Sequence, residues 1–118
     1  MYYFKIISLK TCPYSEAAES LFRENNINHE LIQVDRSEKD KFKSNDISTY
    51  PQIYLKKKHS SGSVLVGGYD TIKEYFDIAK NNSGNPKILD KLKNKIKKDN
   101  KNISDKSVLR LIQLLIQD

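Results

Sequence analysis

Residues 6–15 read Ile-Ile-Ser-Leu-Lys-Thr-Cys-Pro-Tyr-Ser, and within them an apolar strand pattern gives way to a helical one. Cys12, the only cysteine of the 118 residues, lies at this junction. A thiol at the first turn of a helix faces unpaired backbone N–H groups and the positive end of the helix dipole, and both favour the thiolate. Pro13 suits a first helical position, where proline loses no hydrogen bond. Cys12 is therefore a candidate nucleophile, and the alternative is a small buried hydrophobic residue, as most free cysteines are.

Length and cysteine count limit the class of protein. A chain of 118 residues accommodates one domain with a real core plus an appendage. One cysteine cannot form an internal disulfide, and the sequence contains no signal peptide or membrane-spanning pattern. We therefore expect a soluble, cytoplasmic protein of a reducing compartment that does not interact with membranes.

The net charge of +6 is unevenly distributed along the chain. Residues 1–85 carry 12 Lys or Arg against 11 Asp or Glu, whereas residues 86–118 carry 9 against 4. The basic character therefore belongs to the C-terminal part. Its lysines are typical of a solvated helical face, and binding of nucleic acid or of an acidic partner is the less favoured interpretation.

The first two thirds of the chain predict a βαβ unit followed by a helix, a hairpin and a further helix. A strand, helix, strand order of this length favours a right-handed parallel crossover. The linker composition of residues 81–86 ends this part. The predicted strands are residues 2–9, 29–34, 52–55 and 64–66, and the predicted helices are residues 13–25, 35–45 and 69–79.

Residues 1–82 are predicted as the main domain, and residues 83–118 as a basic C-terminal extension of two helices. Ser104 suits the N-cap of the last helix, which is apolar nearly all round. Such a helix must be buried, either against the domain or the preceding helix, or against a second copy in a homodimer. The chain is then a monomer or a homodimer through its C-terminal helix.

Three motifs occur in order at fixed positions in this layout. They are Cys12-Pro13-Tyr14-Ser15 after the first strand, Thr49-Tyr50-Pro51-Gln52 before the third and Gly67-Gly68-Tyr69-Asp70 after the fourth. Together they resemble glutaredoxins of the thioredoxin-like superfamily. The resemblance covers residues 2–80 and implies an α/β, thioredoxin-like (glutaredoxin) fold, with a four-stranded mixed sheet flanked by helices. The C-terminal helical extension has no counterpart in the ordinary family domain.

The resemblance implies that Cys12 is catalytic and that glutathione binds beside it. A cis Tyr50-Pro51 bond would leave the backbone of Tyr50 available to pair with an extended peptide such as glutathione. Gly67 and Gly68 would bring the next helix close, so that its N–H groups hold the γ-glutamyl carboxylate. Asp70 would cap that helix or bind the ligand's amino group. The implied glutathione-binding residues are Lys10, Tyr14, Tyr50, Pro51, Gly68, Tyr69 and Asp70, supported by Pro13, Ser15 and Thr49.

Two positions depart from the family pattern. Glutaredoxins usually carry a basic residue three positions before the cysteine, whereas Lys10 lies two before it. Ser48 stands where many members have a basic residue. Lys10 either keeps its contact with a glutathione carboxylate through its flexible stem or is only solvated.

Ser15 stands where dithiol family members carry a second, resolving cysteine. The resemblance then implies a monothiol cycle, in which Cys12 becomes glutathionylated and a second glutathione, as co-substrate, resolves it. The implied activity is deglutathionylation of proteins, which makes glutathione and glutathionylated proteins the partners. The Ser15 hydroxyl can donate a hydrogen bond to the thiolate.

Two other functions stay open. Some monothiol members of the family hold a glutathione-ligated [2Fe-2S] cluster between two copies. The sequence from Thr49 to Tyr54 resembles that cluster-binding group, whereas Pro13-Tyr14 resembles the monothiol members that act as reductases. The chain could instead be a non-catalytic interaction module whose added helices bind a partner. His29 and His59 lie far apart, and no residue spacing suggests a metal site made by the protein alone.

Overall fold

The computed structural model describes residues 2–44, 47–59, 62–81 and 87–116. The predicted strands and helices of the main domain are all found. The polar segment after the second strand forms a 3-10 helix rather than an α-helix. The elements, in chain order, are β1 (Tyr2–Leu9), α1 (Pro13–Glu24), β2 (His29–Val34), the 3-10 helix (Arg36–Phe42), β3 (Gln52–Lys57), β4 (Ser63–Gly67), α2 (Tyr69–Asn81), α3 (Lys87–Asp99) and α4 (Asp105–Leu115).

The four strands form one mixed sheet in the order β2-β1-β3-β4. β1 and β2 are parallel and are joined through α1, as the strand, helix, strand pattern predicts. β3 runs antiparallel to β1, and β4 runs antiparallel to β3 as the second strand of the predicted hairpin. The ends of β1 and β2 therefore lie side by side, with Leu9 opposite Val34.

Alternation along β1 divides the sheet into two faces. Phe4 and Ile6 enter a core to which α1, α2, α3 and α4 all contribute, and we call this side the helix face. Ile7 and Leu9 enter a smaller cluster with Val34 on the other side, which we call the site face. Within the described residues, no helix is long and apolar enough to cross a membrane.

The C-terminal helices complete the core of the helix face. Leu92 of α3 and Leu111 of α4 are fully buried there. Of the alternatives left open by the sequence, the structure shows packing of both helices against the domain. As predicted, Ser104 caps α4, and its Oγ accepts a hydrogen bond from the Ser107 N–H at 3.1 Å. The linker at residues 82–86 lies outside the described residues, so the boundary between residues 82 and 83 stays a prediction.

Polar contacts fasten α3 to the domain. The hydroxyl of Tyr75, a buried residue of α2, donates to the Asp99 carboxylate at 2.7 Å. The side-chain amide of Asn100, which directly follows α3, donates to the Leu65 carbonyl at 3.1 Å. Because β4 lies at an edge of the sheet, this contact covers part of an otherwise unpaired strand edge.

The 3-10 helix covers the site face. Phe42 packs against the small cluster of Ile7, Leu9 and Val34. The side-chain amide of Gln52, a fully buried residue at the start of β3, donates to the Phe42 carbonyl at 2.8 Å. This bond anchors the 3-10 helix to the sheet beside the ends of β1 and β2.

Candidate active site

Cys12 occupies the N-cap position of α1. Its backbone is extended, and its carbonyl accepts the first helical hydrogen bond, from the Glu16 N–H at 3.0 Å. The side chain is partly exposed and packs against the small cluster of the site face. Pro13 is the first helical residue, as predicted. The residue is thus at the N-terminus of the helix and only partly buried, which favours a nucleophile over a buried hydrophobic residue.

Ser15, the third residue of α1, fastens the helix to the preceding strand. Its side chain is fully buried, and its Oγ accepts a hydrogen bond from the Leu9 N–H at 3.0 Å. This bond links the residues on either side of the Cys12 loop and fixes where α1 begins. The hydroxyl can still donate one hydrogen bond, so its predicted donation to the Cys12 thiolate stays a prediction.

The loop before the thiol is held by a residue that the motifs do not include. Thr11 has a left-handed backbone with φ of 59°. Arg36, which begins the 3-10 helix, donates from Nε to the Thr11 hydroxyl at 2.7 Å and from Nη2 to the Thr11 carbonyl at 3.0 Å. Arg36 therefore positions the loop that precedes Cys12. The sequence could have placed Arg36 near this loop, because the predicted parallel pairing of β1 and β2 puts the residues that follow the two strands at the same edge of the sheet.

Lys10 lies in the same loop, but its ammonium is already paired. Its Nζ is 2.9 Å from the Asp35 carboxylate, and both side chains are about half exposed, at 51% and 60%. An ion pair this exposed is weak and can exchange partners with an arriving anion. A contact of Lys10 with a glutathione carboxylate therefore stays a prediction.

The structure brings the three motifs together around Cys12. Tyr50 packs against the same small cluster as Cys12, and the Tyr50-Pro51 bond is cis, as the resemblance implies. Gly68 lies close to the proline, since a Cβ added to it would be 3.6 Å from the Pro51 carbonyl oxygen. The rings of Tyr14 and Tyr69 are 6.2 Å apart between centroids. Loops separated by about half the chain thus form one surface.

Two motif residues have surroundings that the sequence does not indicate. The Tyr50 hydroxyl donates to the Lys39 carbonyl of the 3-10 helix, and burial raises the pKa of that hydroxyl. The side chain of Tyr50 therefore holds the 3-10 helix over the site face, and pairing of its backbone with a ligand stays a prediction. Asp70 is exposed in the first turn of α2, which begins at Tyr69, so it does not occupy the N-cap. Thr49 and Ser48 are also exposed, directly before Tyr50.

Gly67 makes the turn from β4 into α2. Its φ of 145° is a conformation that residues with a side chain rarely adopt, and a Cβ there would lie 3.0 Å from the Thr71 side chain. The glycine therefore lets the N-terminus of α2 approach the cis-proline loop. Backbone N–H groups at such a terminus suit an anion such as a carboxylate.

Comparison with known proteins agrees with this geometry. The family model for glutaredoxins matches residues 1–60. Glutaredoxin 1 of Rickettsia conorii is 36% identical over 80 residues, which cover 64% of this chain and 70% of that protein. Glutaredoxin 1 of Rickettsia felis is 38% identical with the same coverage.

A solved structure supports the fold. The crystal structure of glutaredoxin 1 from Francisella tularensis complexed with cacodylate superposes with a TM-score of 0.53 at 27% sequence identity. The match covers 69% of this chain and 99% of that chain, so the additional length of this protein is not part of it. With the four-stranded mixed sheet, this confirms the thioredoxin-like fold class. On the sequence matches and the shared fold, the chain belongs to the glutaredoxin family.

Proposed function

We propose that this chain is a monothiol, glutathione-dependent oxidoreductase that reduces protein–glutathione mixed disulfides. Glutaredoxins are generally thiol-disulfide oxidoreductases with glutathione as the reductant. The observation that carries the monothiol proposal is the pair Cys12 and Ser15. The only cysteine of the chain is partly exposed at a helix N-terminus, and the serine three residues on is buried in a structural hydrogen bond.

The proposed cycle has two exchange steps. The Cys12 thiolate attacks the glutathione sulfur of the mixed disulfide, the S–S bond breaks, and the protein substrate leaves as a thiolate that takes a proton from water. Cys12 is then disulfide-bonded to glutathione. A second glutathione thiolate attacks the glutathione sulfur of that bond, which releases oxidised glutathione and restores the Cys12 thiolate. Because the chain has no second cysteine, an intramolecular disulfide cannot replace the second step.

The proposed glutathione site is the surface where the three motifs meet. The backbone of Tyr50 beside Pro51 would pair with the extended peptide, and Tyr14 and Tyr69 would flank it. The first-turn N–H groups of α2, made accessible by Gly68, would hold the γ-glutamyl carboxylate, and Asp70 would accept from its ammonium group. Lys10 is the proposed partner of the remaining carboxylate.

The second candidate is a glutathione-ligated [2Fe-2S] cluster, which the sequence from Thr49 to Tyr54 favours. In the part of the chain that the structure describes, no three His, Cys, Asp or Glu side chains come together as a metal site. A cluster would therefore need Cys12 from two copies and the thiols of two glutathiones. Anaerobic reconstitution with iron, sulfide and glutathione separates the two candidates. Visible absorbance together with a doubled mass supports the cluster, and a colourless monomer rules it out.

A glutathionylated-peptide assay coupled to glutathione reductase tests the reductase proposal. We expect Cys12→Ser to lose all turnover, and the wild-type protein to show a mass increase of one glutathionyl group after exposure to the substrate. Ser20→Ala, a serine change further along α1, is the matched control and should keep wild-type turnover. Unchanged turnover in Cys12→Ser would reject the proposal. Because the cycle requires a reduced Cys12, we also propose that the protein works in the cytoplasm.

A further inference from the structure

A groove of about 320 Å³ lies at the end of the sheet far from Cys12. It runs between the start of β1, the end of β3 and the exposed side of α4. We call it the basic groove, because three of its six lining residues are cations and none is a carboxylate. Its lining residues are Tyr2, Lys57, Lys106, Arg110, Gln113 and Leu114.

The fold brings the start of β1 and helix α4 together at this groove. Tyr2 and Lys57 are opposite each other in the antiparallel pairing of β1 and β3. Lys106, Arg110 and Gln113 follow one another at spacings of four and three residues, which places them on one face of α4. The extension thus supplies most of the groove, and the domain closes one side of it.

Arg110 is oriented by neutral groups. Its guanidinium carbon lies 5.6 Å from the centroid of the Tyr2 ring, and its Nη1 donates to the Gln113 side-chain oxygen at 3.1 Å. Neither contact neutralises the positive charge. A guanidinium has five N–H donors in a planar fork, so Arg110 keeps donors for a carboxylate.

Two acidic groups of the extension are engaged with residues outside the groove. Asp105 forms an ion pair with Lys97, and Asp99 binds Lys95 and the Tyr75 hydroxyl. Lys57, Lys106 and Arg110 are all exposed to solvent. The groove therefore presents a local excess of positive charge in a part of the chain, residues 86–118, that carries 9 basic against 4 acidic residues.

We propose that the basic groove binds an acidic segment of a partner protein. Charge complementarity requires an anionic occupant. Single-stranded nucleic acid would need an open aromatic surface for base stacking, but Arg110 already lies over the Tyr2 ring. Leu114, which is half-buried beside the cations, offers an apolar contact to a peptide side chain.

The position of the groove suits a docking site that acts alongside the thiol. Tyr2 and Leu9 are the two ends of the eight-residue strand β1 and lie about 23 Å apart at a rise of about 3.3 Å per residue. A segment bound at the groove would therefore leave Cys12 open. This proposal goes beyond the reductase activity and does not depend on it.

Fluorescence anisotropy with a fluorescein-labelled octaglutamate peptide at low ionic strength tests the proposal. The groove variant combines Lys57→Gln, Lys106→Gln and Arg110→Gln. The matched control, Lys91→Gln with Lys98→Gln and Lys101→Gln, removes the same charge from exposed positions of α3 and the turn after it. We expect the dissociation constant to rise at least about tenfold in the groove variant and less than about threefold in the control.

Several outcomes would overturn this inference. The first is that the wild-type protein does not bind the peptide. The second is that the groove variant and the control lose affinity equally, which would show only an effect of net charge. Tighter binding of an oligouridylate of equal charge, lost in the groove variant, would reassign the groove to nucleic acid. Unchanged peptide affinity in Cys12→Ser supports the proposal, and it separates this test from that of the reductase function. Circular dichroism of each variant establishes that it is folded.

Discussion

The two faces of the sheet are built in different ways. On the helix face, the described residues give a core of 18 buried side chains drawn from the sheet and from α1, α2, α3 and α4. On the site face, the corresponding buried cluster has three members, Ile7, Leu9 and Val34, with Cys12 and Tyr50 packed at its margin. The candidate active site therefore lies on the side of the sheet that buries less.

Directional polar contacts compensate for this small cluster. Ser15 ties the start of α1 to Leu9, Arg36 holds Thr11, and Gln52 anchors the 3-10 helix. Such contacts fix positions while contributing only about 1 kcal/mol each to stability. We infer that stability resides mainly on the helix face and reactivity on the site face, so that substitutions on the two faces should have separable effects.

The largest expected effect is on the helix face, in the extension. Leu92→Ala removes a fully buried side chain from α3 and should lower the free energy of unfolding by about 2–5 kcal/mol, because it leaves a cavity in the core. Leu89→Ala on the same helix is the matched control, since Leu89 is 46% exposed, and should cost far less. Urea denaturation measures both. Equal costs would mean that α3 does not pack on the domain as described.

A smaller effect is expected from Tyr75→Phe, which removes the hydrogen bond between α2 and Asp99. The free energy of unfolding should fall by about 1 kcal/mol, since the Asp99 carboxylate keeps its ion pair with Lys95. Burial, and then the bond to Asp99, raises the pKa of Tyr75 in the folded protein. The unfolded chain loses that proton above about pH 10. The contribution of Tyr75 to the stability of the folded protein is therefore complete below this pH and is lost as pH rises above it.

Denaturation at about pH 8 and about pH 11 measures this linkage, because an ordinary tyrosine titrates between the two. The wild-type protein should lose more stability over that interval than Tyr75→Phe, since the variant has no proton to lose at this position. Leu89→Ala, an exposed change that involves no titrating group, is the control and should show the wild-type loss. An identical loss in wild type and Tyr75→Phe would contradict the prediction.

The sheet and its motifs could be predicted from the sequence because their signals are local. The bounds of β1 and β2 were predicted correctly, at residues 2–9 and 29–34, since β-branched and aromatic runs mark strands. The three motifs also identified, from the sequence, residues that meet around Cys12 in the structure. They could not give the role of the Tyr50 side chain, because its partner is a backbone carbonyl of the 3-10 helix.

The contacts of the extension were less predictable because they join distant parts of the chain. The apolar stripe that includes Leu92 shows that α3 must be buried, but it does not say against what. The bond between Tyr75 and Asp99 joins residues 24 apart, and that between Leu65 and Asn100 joins residues 35 apart. Sequence periodicity reports which face of a helix is apolar, and the docking partner depends on the completed sheet.

The smallest expected effect on stability, and the sharpest test of the comparison, comes from Arg36→Gln on the site face. Its contacts with Thr11 are exposed, so the free energy of unfolding should change by less than about 1 kcal/mol. The rate of Cys12 alkylation by iodoacetamide at neutral pH should nevertheless fall on the order of threefold, because the loop that presents the thiol loses its clamp.

Lys41→Gln is the matched control for Arg36→Gln. It removes the same charge from the same 3-10 helix, where Lys41 pairs with Glu38 and not with the Cys12 loop. We expect it to leave the alkylation rate close to that of the wild-type protein. If both variants slowed alkylation equally, the effect would come from overall charge. If Arg36→Gln instead destabilised the fold as much as Leu92→Ala, the separation of stability and reactivity between the two faces would be wrong.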